Sequence, residues 1–341
     1  MTRRFRLVIV VVVAVLLLGG AGWYCLAAFT VANRTASQPS AVATQAPEPQ
    51  GGLFGDEPRV VFRNTAIGEG YGAVASVPLE NPGGVRSVSE LTCDRVYASA
   101  QNVMCLRIDR GVVTTFTAEL LDSAGTPLQT WPLPGMPSRT RISADGNLVA
   151  FSAFITAHSY ATVGFSIGTQ IAEIGGADSG TLEGFALSVD GVAVTAADRN
   201  IWGVTFTSDP NEFYATAASG ARTWLVRGDR AARTLTAVRD TVECPSVSPD
   251  GRHLAYKKVV STAPVTTWTV AVVDLATNEE VVLPEPRNVD DQVEWLDNET
   301  VLYGLQRADS PGDTDVWSAP RDGSAPATLY IEHAWSPSVV R

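Results

Sequence analysis

The sequence predicts an all-β fold: a six-bladed β-propeller of four-stranded antiparallel blades, closed by its C-terminal strand and preceded by one transmembrane helix. Three observations lead there. Short alternating apolar runs, punctuated by Gly, Pro, Asn and Asp, fill the chain from Arg59 onward. An Asp-led hairpin recurs at the spacing of one small sheet. The final apolar run has no partner after it, while the first unit lacks an innermost strand.

The N-terminal elements are an address and a spacer. Residues 1–6 form a cytoplasmic tip carrying Arg3, Arg4 and Arg6. Residues 7–29 carry no charge, and at ~1.5 Å per residue they give a helix of roughly 35 Å, long enough for a ~30 Å hydrocarbon core. The arginines put the N-terminus in the cytoplasm, and Trp23 and Tyr24 suit the far interface. We read this segment as an uncleaved, single-pass signal anchor in the cell membrane. The alternatives are a cleaved signal peptide, with Thr30-Val31-Ala32 its best site, and lipidation at Cys25, where Trp23 and Tyr24 occupy positions that need small residues. All three export the remainder. Residues 30–58 are rich in Ala, Ser, Thr, Gln and Pro and read as a disordered tether.

Residues 59–341 form the propeller. The chain as a whole is 45% hydrophobic and 18% charged, which allows a large core. Its 25 basic side chains face 36 acidic ones, and removing the three N-terminal arginines leaves 22. That balance excludes nucleic acid and anionic headgroups as partners of the exported body.

One hairpin appears as Ile142-Ser143-Ala144-Asp145-Gly146 followed by Leu148-Val149-Ala150-Phe151, and again as Val247-Ser248-Pro249-Asp250-Gly251 followed by Leu254-Ala255-Tyr256. Degenerate copies centre on Asp209 and Asp297. Asp-Gly supplies a side-chain acceptor and tolerance of positive φ. A second hairpin follows each of these, for example Val316-Trp317-Ser318 turning at Asp322-Gly323; weaker copies lie at 73–88 and 163–174. The turn aspartates Asp145, Asp209, Asp250 and Asp297 lie 64, 41 and 47 residues apart. This suits blades of ~40–50 residues with an insertion at 175–200, which contains the further turn Asp190-Gly191. A single such sheet exposes both faces, so blades must pack radially and close. The run Trp335-Ser336-Pro337-Ser338-Val339-Val340 is expected to be the innermost strand of the blade that begins at Val60-Val61-Phe62.

The repeat Ser248-Pro249-Asp250-Gly251 with Leu254-Ala255-Tyr256 resembles that of TolB-like propellers. The runs Val289-Asp290-Asp291-Gln292-Val293-Glu294-Trp295-Leu296-Asp297, Thr223-Trp224-Leu225-Val226-Arg227-Gly228-Asp229 and His333-Ala334-Trp335-Ser336-Pro337 are similar to membrane-anchored bacterial TolB-like translocation proteins. The resemblance covers nearly all of 59–341. It implies an envelope propeller that binds other proteins, with no catalytic residues. The Tol-system member is soluble and has an additional N-terminal α/β domain, where this chain has an anchor and tether.

Candidate chemistry is sparse. Gly164-Phe165-Ser166-Ile167-Gly168 matches G-x-S-x-G, but its flanks read as strand, whereas a nucleophile elbow needs a helix after the serine. Asp309, Asp313 and Asp315, or Asp290-Asp291, offer oxygen ligands for calcium without an EF-hand spacing. Cys93 and Cys105 flank a hairpin turn near 99–102 and are candidates for a disulfide; Cys244 is left over. Six tryptophans recur in strands and are assigned mainly to packing between blades. We therefore expect no catalytic, metal or cofactor site, a monomeric ring, and an envelope or membrane protein as partner, with 261–267 and 307–314 as contact loops. An enzyme or carbohydrate binder using the central channel is the alternative. Carboxylates with His or Asn at one mouth would mark it, and a channel of small and apolar groups would mark docking.

Overall fold

The computed structural model describes residues 3–36, 40, 42–46, 57–155, 166–176, 178–263 and 265–341. Helix α1 (Arg3–Ala36) contains the apolar span Val12–Thr30, with a mean hydropathy of 2.0 and none of it buried, which is long and apolar enough to cross a membrane. It continues past Phe29, and β1 (Thr44–Gln45) forms a two-residue strand; both lie partly or wholly in the stretch read as a tether.

Six four-stranded sheets follow. Blade 1 contains β2 (Arg59–Asn64), β3 (Ala73–Pro78) and β4 (Arg86–Thr92). Blade 2 is β5 (Arg95–Ala98), β6 (Asn102–Arg110), β7 (Thr114–Asp122) and β8 (Pro127–Pro132). Blade 3 is β9 (Pro137–Ile142), β10 (Leu148–Phe154), β11 (Ile167–Glu173) and β12 (Asp178–Thr181). The hairpin β13 (Ala186–Val189) and β14 (Val192–Val194) precedes blade 4, which is β15 (Asn200–Phe206), β16 (Glu212–Ser219), β17 (Arg222–Asp229) and β18 (Thr234–Asp240). Blade 5 is β19 (Glu243–Val247), β20 (His253–Ser261), β21 (Thr267–Asp274) and β22 (Glu280–Val282). Blade 6 is β23 (Glu294–Trp295), β24 (Thr300–Gln306), β25 (Thr314–Pro320) and β26 (Thr328–Ile331). The last strand, β27 (Ala334–Val340), returns to blade 1 and pairs antiparallel with β2 from Arg59↔Val340 to Asn64↔Ala334. Val60, Val61 and Phe62 of β2 are all fully buried, the pattern of a sheet covered on both faces.

Closure draws on more than the ladder. Arg86, 4% exposed, crosses the Phe62 ring to donate to the carbonyls of Glu332 (2.7 Å) and His333 (3.1 Å) and to Asn64 Oδ1 (2.7 Å). Ser336 Oγ donates to the Val96 carbonyl, and the Ala98 N–H to Ser338 Oγ, tying β27 to blade 2.

The segment read as an insertion is divided. Residues 178–181 supply β12, so the second hairpin of blade 3 is β11–β12 and does not lie at 163–174; residues 163–165 are outside the described set. Leu182, Phe185 and Leu187 then enter the core between blades 3 and 4, and β13 adds in parallel to β18. Asp190-Gly191 makes the β13–β14 turn, both residues at positive φ, as a two-residue hairpin demands.

Because innermost strands run in one direction, the disc has two distinct faces. The turn face carries the hairpins between the first and second and between the third and fourth strands. The loop face carries those between the second and third.

Candidate functional site

Inside the ring, basic and acidic strands meet across the axis. Blade 6 starts with an irregular segment, residues 290–295, in which only Glu294 and Trp295 pair regularly. Gly304 behind it explains the irregularity, since a Cβ there would lie 2.5 Å from Asp291 Oδ2 and 2.8 Å from the Trp335 ring. The Gly304 N–H instead donates to Asp291 Oδ2 (3.2 Å). Four cations answer this segment. Lys257 Nζ lies 2.6 Å from Asp290, Arg95 lies 3.4 Å from Asp291, and Arg141 lies 3.1 Å from Glu294. Arg139 donates to the Asp290 carbonyl. Tyr97 adds a hydrogen bond to Glu294 (3.2 Å). The Gln292 amide, with its oxygen toward Arg141, accepts from Nη2 (2.6 Å) and Nε (2.8 Å). Blades 3 and 6 oppose each other in a ring of six, so the Arg141 pair spans the axis.

Burial pushes the Glu294 carboxyl up, against the pull of Arg141. Burial also acts on Asp290, yet Lys257 holds that carboxyl below its usual value. Burial brings Arg95 down to about 9, so it stays cationic at neutral pH, and its guanidinium lies 3.9 Å from the Trp335 ring centre. The channel thus fits neither expected composition, being built of ion pairs satisfied within the ring.

An opening lies on each side. The turn-face mouth, about 390 Å³, is rimmed by Ser99, Ala144, Ser208, Pro249 and Arg341, with Arg141 and Glu294 also lining it. The hairpins around it repeat one motif. Ser143 Oγ donates to Asp145 Oδ1, which accepts the Asn147 N–H, while the Leu148 N–H returns to Ser143 Oγ. Ser248, Asp250, Arg252 and His253 repeat it bond for bond. Gly146 and Gly251 sit at φ 72° and 71°. Asp209 and Asp297 accept the N–H groups of Asn211 and Glu299. The four aspartates and two glycines singled out by the repeat are therefore turn-forming groups, as are Asp122, Asp229, Asp274 and Asp322 in the outer hairpins.

The loop-face opening is a cleft of about 530 Å³ across blades 3, 4 and 5. Trp202, Trp268 and Phe154 give it apolar surface, and Thr266 of one expected contact loop borders it. Its ionisable groups are engaged. Asp198 accepts from Ser219 Oγ and the Gly220 N–H, Glu243 from Trp268 Nε1, and Arg222 pairs with Asp240. Lys257 pairs with Asp290 and lies over the Trp268 ring. Cys244 is buried against it. The sequence offers Asp290-Asp291 as calcium ligands and the tryptophans as packing groups, but it does not show that these residues meet, because they come together from separate blades; Asp290 pairs with Lys257 instead.

The remaining candidates are elsewhere. Cys93 and Cys105 are joined by a disulfide with Cα atoms 5.4 Å apart. Val96, not Cys93, lies opposite Cys105; Cys93 sits in the β4–β5 link, so the bond staples the junction of blades 1 and 2. Asp313 takes Thr65 Oγ1 (2.9 Å) and His333 Nδ1 (2.8 Å), and Asp315 takes Arg307, so these carboxylates already hold partners. Asp309 is exposed. Ser166 precedes β11 and its carbonyl accepts the Ile155 N–H; Gly164, Phe165 and His158 are outside the described residues. Trp202, Trp224 and Trp295 are buried, whereas Trp268, Trp317 and Trp335 are half-buried beneath cations.

No protein-family model matches the sequence, and no curated protein does. Among solved structures, TolB from Acinetobacter baumannii is similar, at 16% identity over 84% of this chain and 67% of that one, with a TM-score of 0.54. A protein described as TolB from Agrobacterium tumefaciens is similar at 11% identity over 82% of this chain and 91% of that one, with a TM-score of 0.50. At these identities the likeness is one of fold: a six-bladed propeller of TolB type.

Proposed function

We propose that this chain, with the ring architecture seen in TolB, is a non-catalytic docking module of a bacterial cell envelope. In this reading α1 anchors it in the cytoplasmic membrane, the propeller stands on the outer side, and the loop-face cleft binds an envelope or membrane protein. One observation supports it above others. Among the described residues, the ionisable side chains lining the cleft already have partners within the ring, while Trp268 and Phe154 offer accessible aromatic surface. Catalysis needs an acid, base or nucleophile free to meet a substrate. Docking needs aromatic anchors within a polar rim.

Photo-crosslinking in intact cells tests this. A crosslinking residue at Ala221, on the cleft rim, should give a discrete protein adduct, and one at Ala276, on the turn face, should not. Adducts from Ala276 alone, or saturable binding of a sugar in the cleft by the purified chain, would overturn the reading.

A further inference from the structure

Of the four cations inside the ring, three answer carboxylates: Lys257 meets Asp290, Arg95 meets Asp291 and Arg141 meets Glu294. Arg139, the fourth, has backbone partners only. Its Nη1 donates to the Ser138 carbonyl (3.0 Å) and its Nη2 to the Asp290 carbonyl (3.5 Å), the second at the limit of a hydrogen bond. Its Nε is buried and has no partner. Among the described residues no carboxylate forms an ion pair with it. A guanidinium keeps its proton at any ordinary pH, so Arg139 is neither acid nor base but a fixed positive charge.

The surroundings do not cancel that charge. Burial first, and then the neighbouring Arg139, bring the Arg95 guanidinium down, so two like charges stand in each other's field. The other carboxylates lining the cleft are taken, Glu243 by Trp268 Nε1 and Asp198 by Ser219 and Gly220. A cation drawn partly out of water without a counter-charge is costly, and a carboxylate, which accepts two parallel N–H bonds from a guanidinium, offsets that cost. In a chain with 36 acidic and 25 basic side chains, such a group is the exception.

Arg139 lines the loop-face cleft together with Trp268. Asp290 links the two, its carbonyl accepting from Arg139 and its carboxylate holding Lys257 Nζ, which lies 4.1 Å from the Trp268 ring centre. Val265, 69% exposed, stands beside Thr266 on the rim. Because the cleft runs across blades 3, 4 and 5, it is shaped for a segment passing through rather than for a chain end.

We propose that the cleft takes an extended segment of a partner protein in which an Asp or Glu side chain meets Arg139 and a flanking apolar side chain covers Trp268. This names the partner's chemistry for the docking reading above and rests on that reading.

Selection of random heptapeptides by the full chain in detergent tests it, with the peptides displayed between flanking sequences so that no free terminus is offered. Binders should be enriched in Asp or Glu next to an aromatic or aliphatic residue. For a selected peptide, exchanging its acidic residue for the amide should weaken binding about 10-fold or more to the parent chain and leave binding to Arg139→Gln unchanged, the coupling that a direct contact requires. Arg139→Gln should melt no lower than the parent, because it orphans no carboxylate and relieves Arg95; the amide exchange in the peptide reads the contact even where that variant folds poorly. Binders without acidic residues, or an acidic residue whose loss costs the same in both chains, would overturn the inference. So would a concentration-dependent dimer abolished by Arg139→Gln, which would give the site to a second copy of this chain. Recovery of no peptide at all would instead defeat the docking reading on which it rests.

Discussion

On the turn face, eight hairpins are held by aspartates whose carboxylates accept their own turn's N–H groups. On the loop face, hairpins end in accessible apolar side chains: Ile67 and Tyr71 in blade 1, Val112 and Val113 in blade 2, Val260 and Val265 in blade 5. The same strands feed both ends, so the contrast lies in the connections. A turn whose side chain satisfies its own backbone is complete without a partner. A loop that exposes valine and tyrosine leaves apolar area that a partner can cover. The repeated motif is thus the structural half of the molecule, and the unrepeated loops are the half available for recognition.

The most damaging change to this two-faced arrangement lies between the faces. Arg141→Ala leaves Glu294 buried without its cation, and should cost about 3–5 kcal/mol in denaturant unfolding. Next comes the loop-face staple. Replacing Cys93 and Cys105 by serine releases a short closed loop, for which about 3 kcal/mol is expected, read as a fall in denaturation midpoint. Trp268→Ala should weaken partner binding by about 2 kcal/mol, roughly 30-fold in Kd by titration. Trp317→Ala, which removes another cation-covered tryptophan away from the cleft, should leave Kd unchanged; loss of binding there would erase the distinction. Asp250→Ala on the turn face should lower stability by about 1 kcal/mol without affecting binding.

The smallest effect is in pH. Backbone and hydroxyl donors hold Asp122, Asp145, Asp229, Asp250, Asp274 and Asp322 below the usual carboxylate value. Their stabilisation is present above the ordinary aspartate range and is lost as pH falls through the lowered values. Glu183, between blades 3 and 4, has the opposite sign: burial pushes it up to about 7, so its contribution declines as pH rises from about 4.5 to 7. Melting curves across pH should show the acid loss in the parent chain. Glu183→Gln should flatten only the slope near neutrality.

The ring was legible because its signals are local. Asp145-Gly146 and Asp250-Gly251 announce their turns within five residues, and the unpartnered run 335–340 required a blade to complete. The division of 175–200 was not legible, because β12 is four residues long and the pairing of β13 with β18 joins residues nearly 50 apart. The channel was hidden for the same reason. Arg95, Arg141 and Glu294 are unremarkable charges in three separate strands until closure brings them together.

The junction of β2 with β27 also sets a timetable. About 270 residues lie between the two strands, and at ~5–20 residues per second a ribosome needs roughly 14–54 s to make them. For that interval β2 offers an open edge, with β3 already available on its other side. Newly emerging blades 2 to 6 therefore assemble beside a vacant berth. Early shielding of that berth by a chaperone should raise the yield of closed rings.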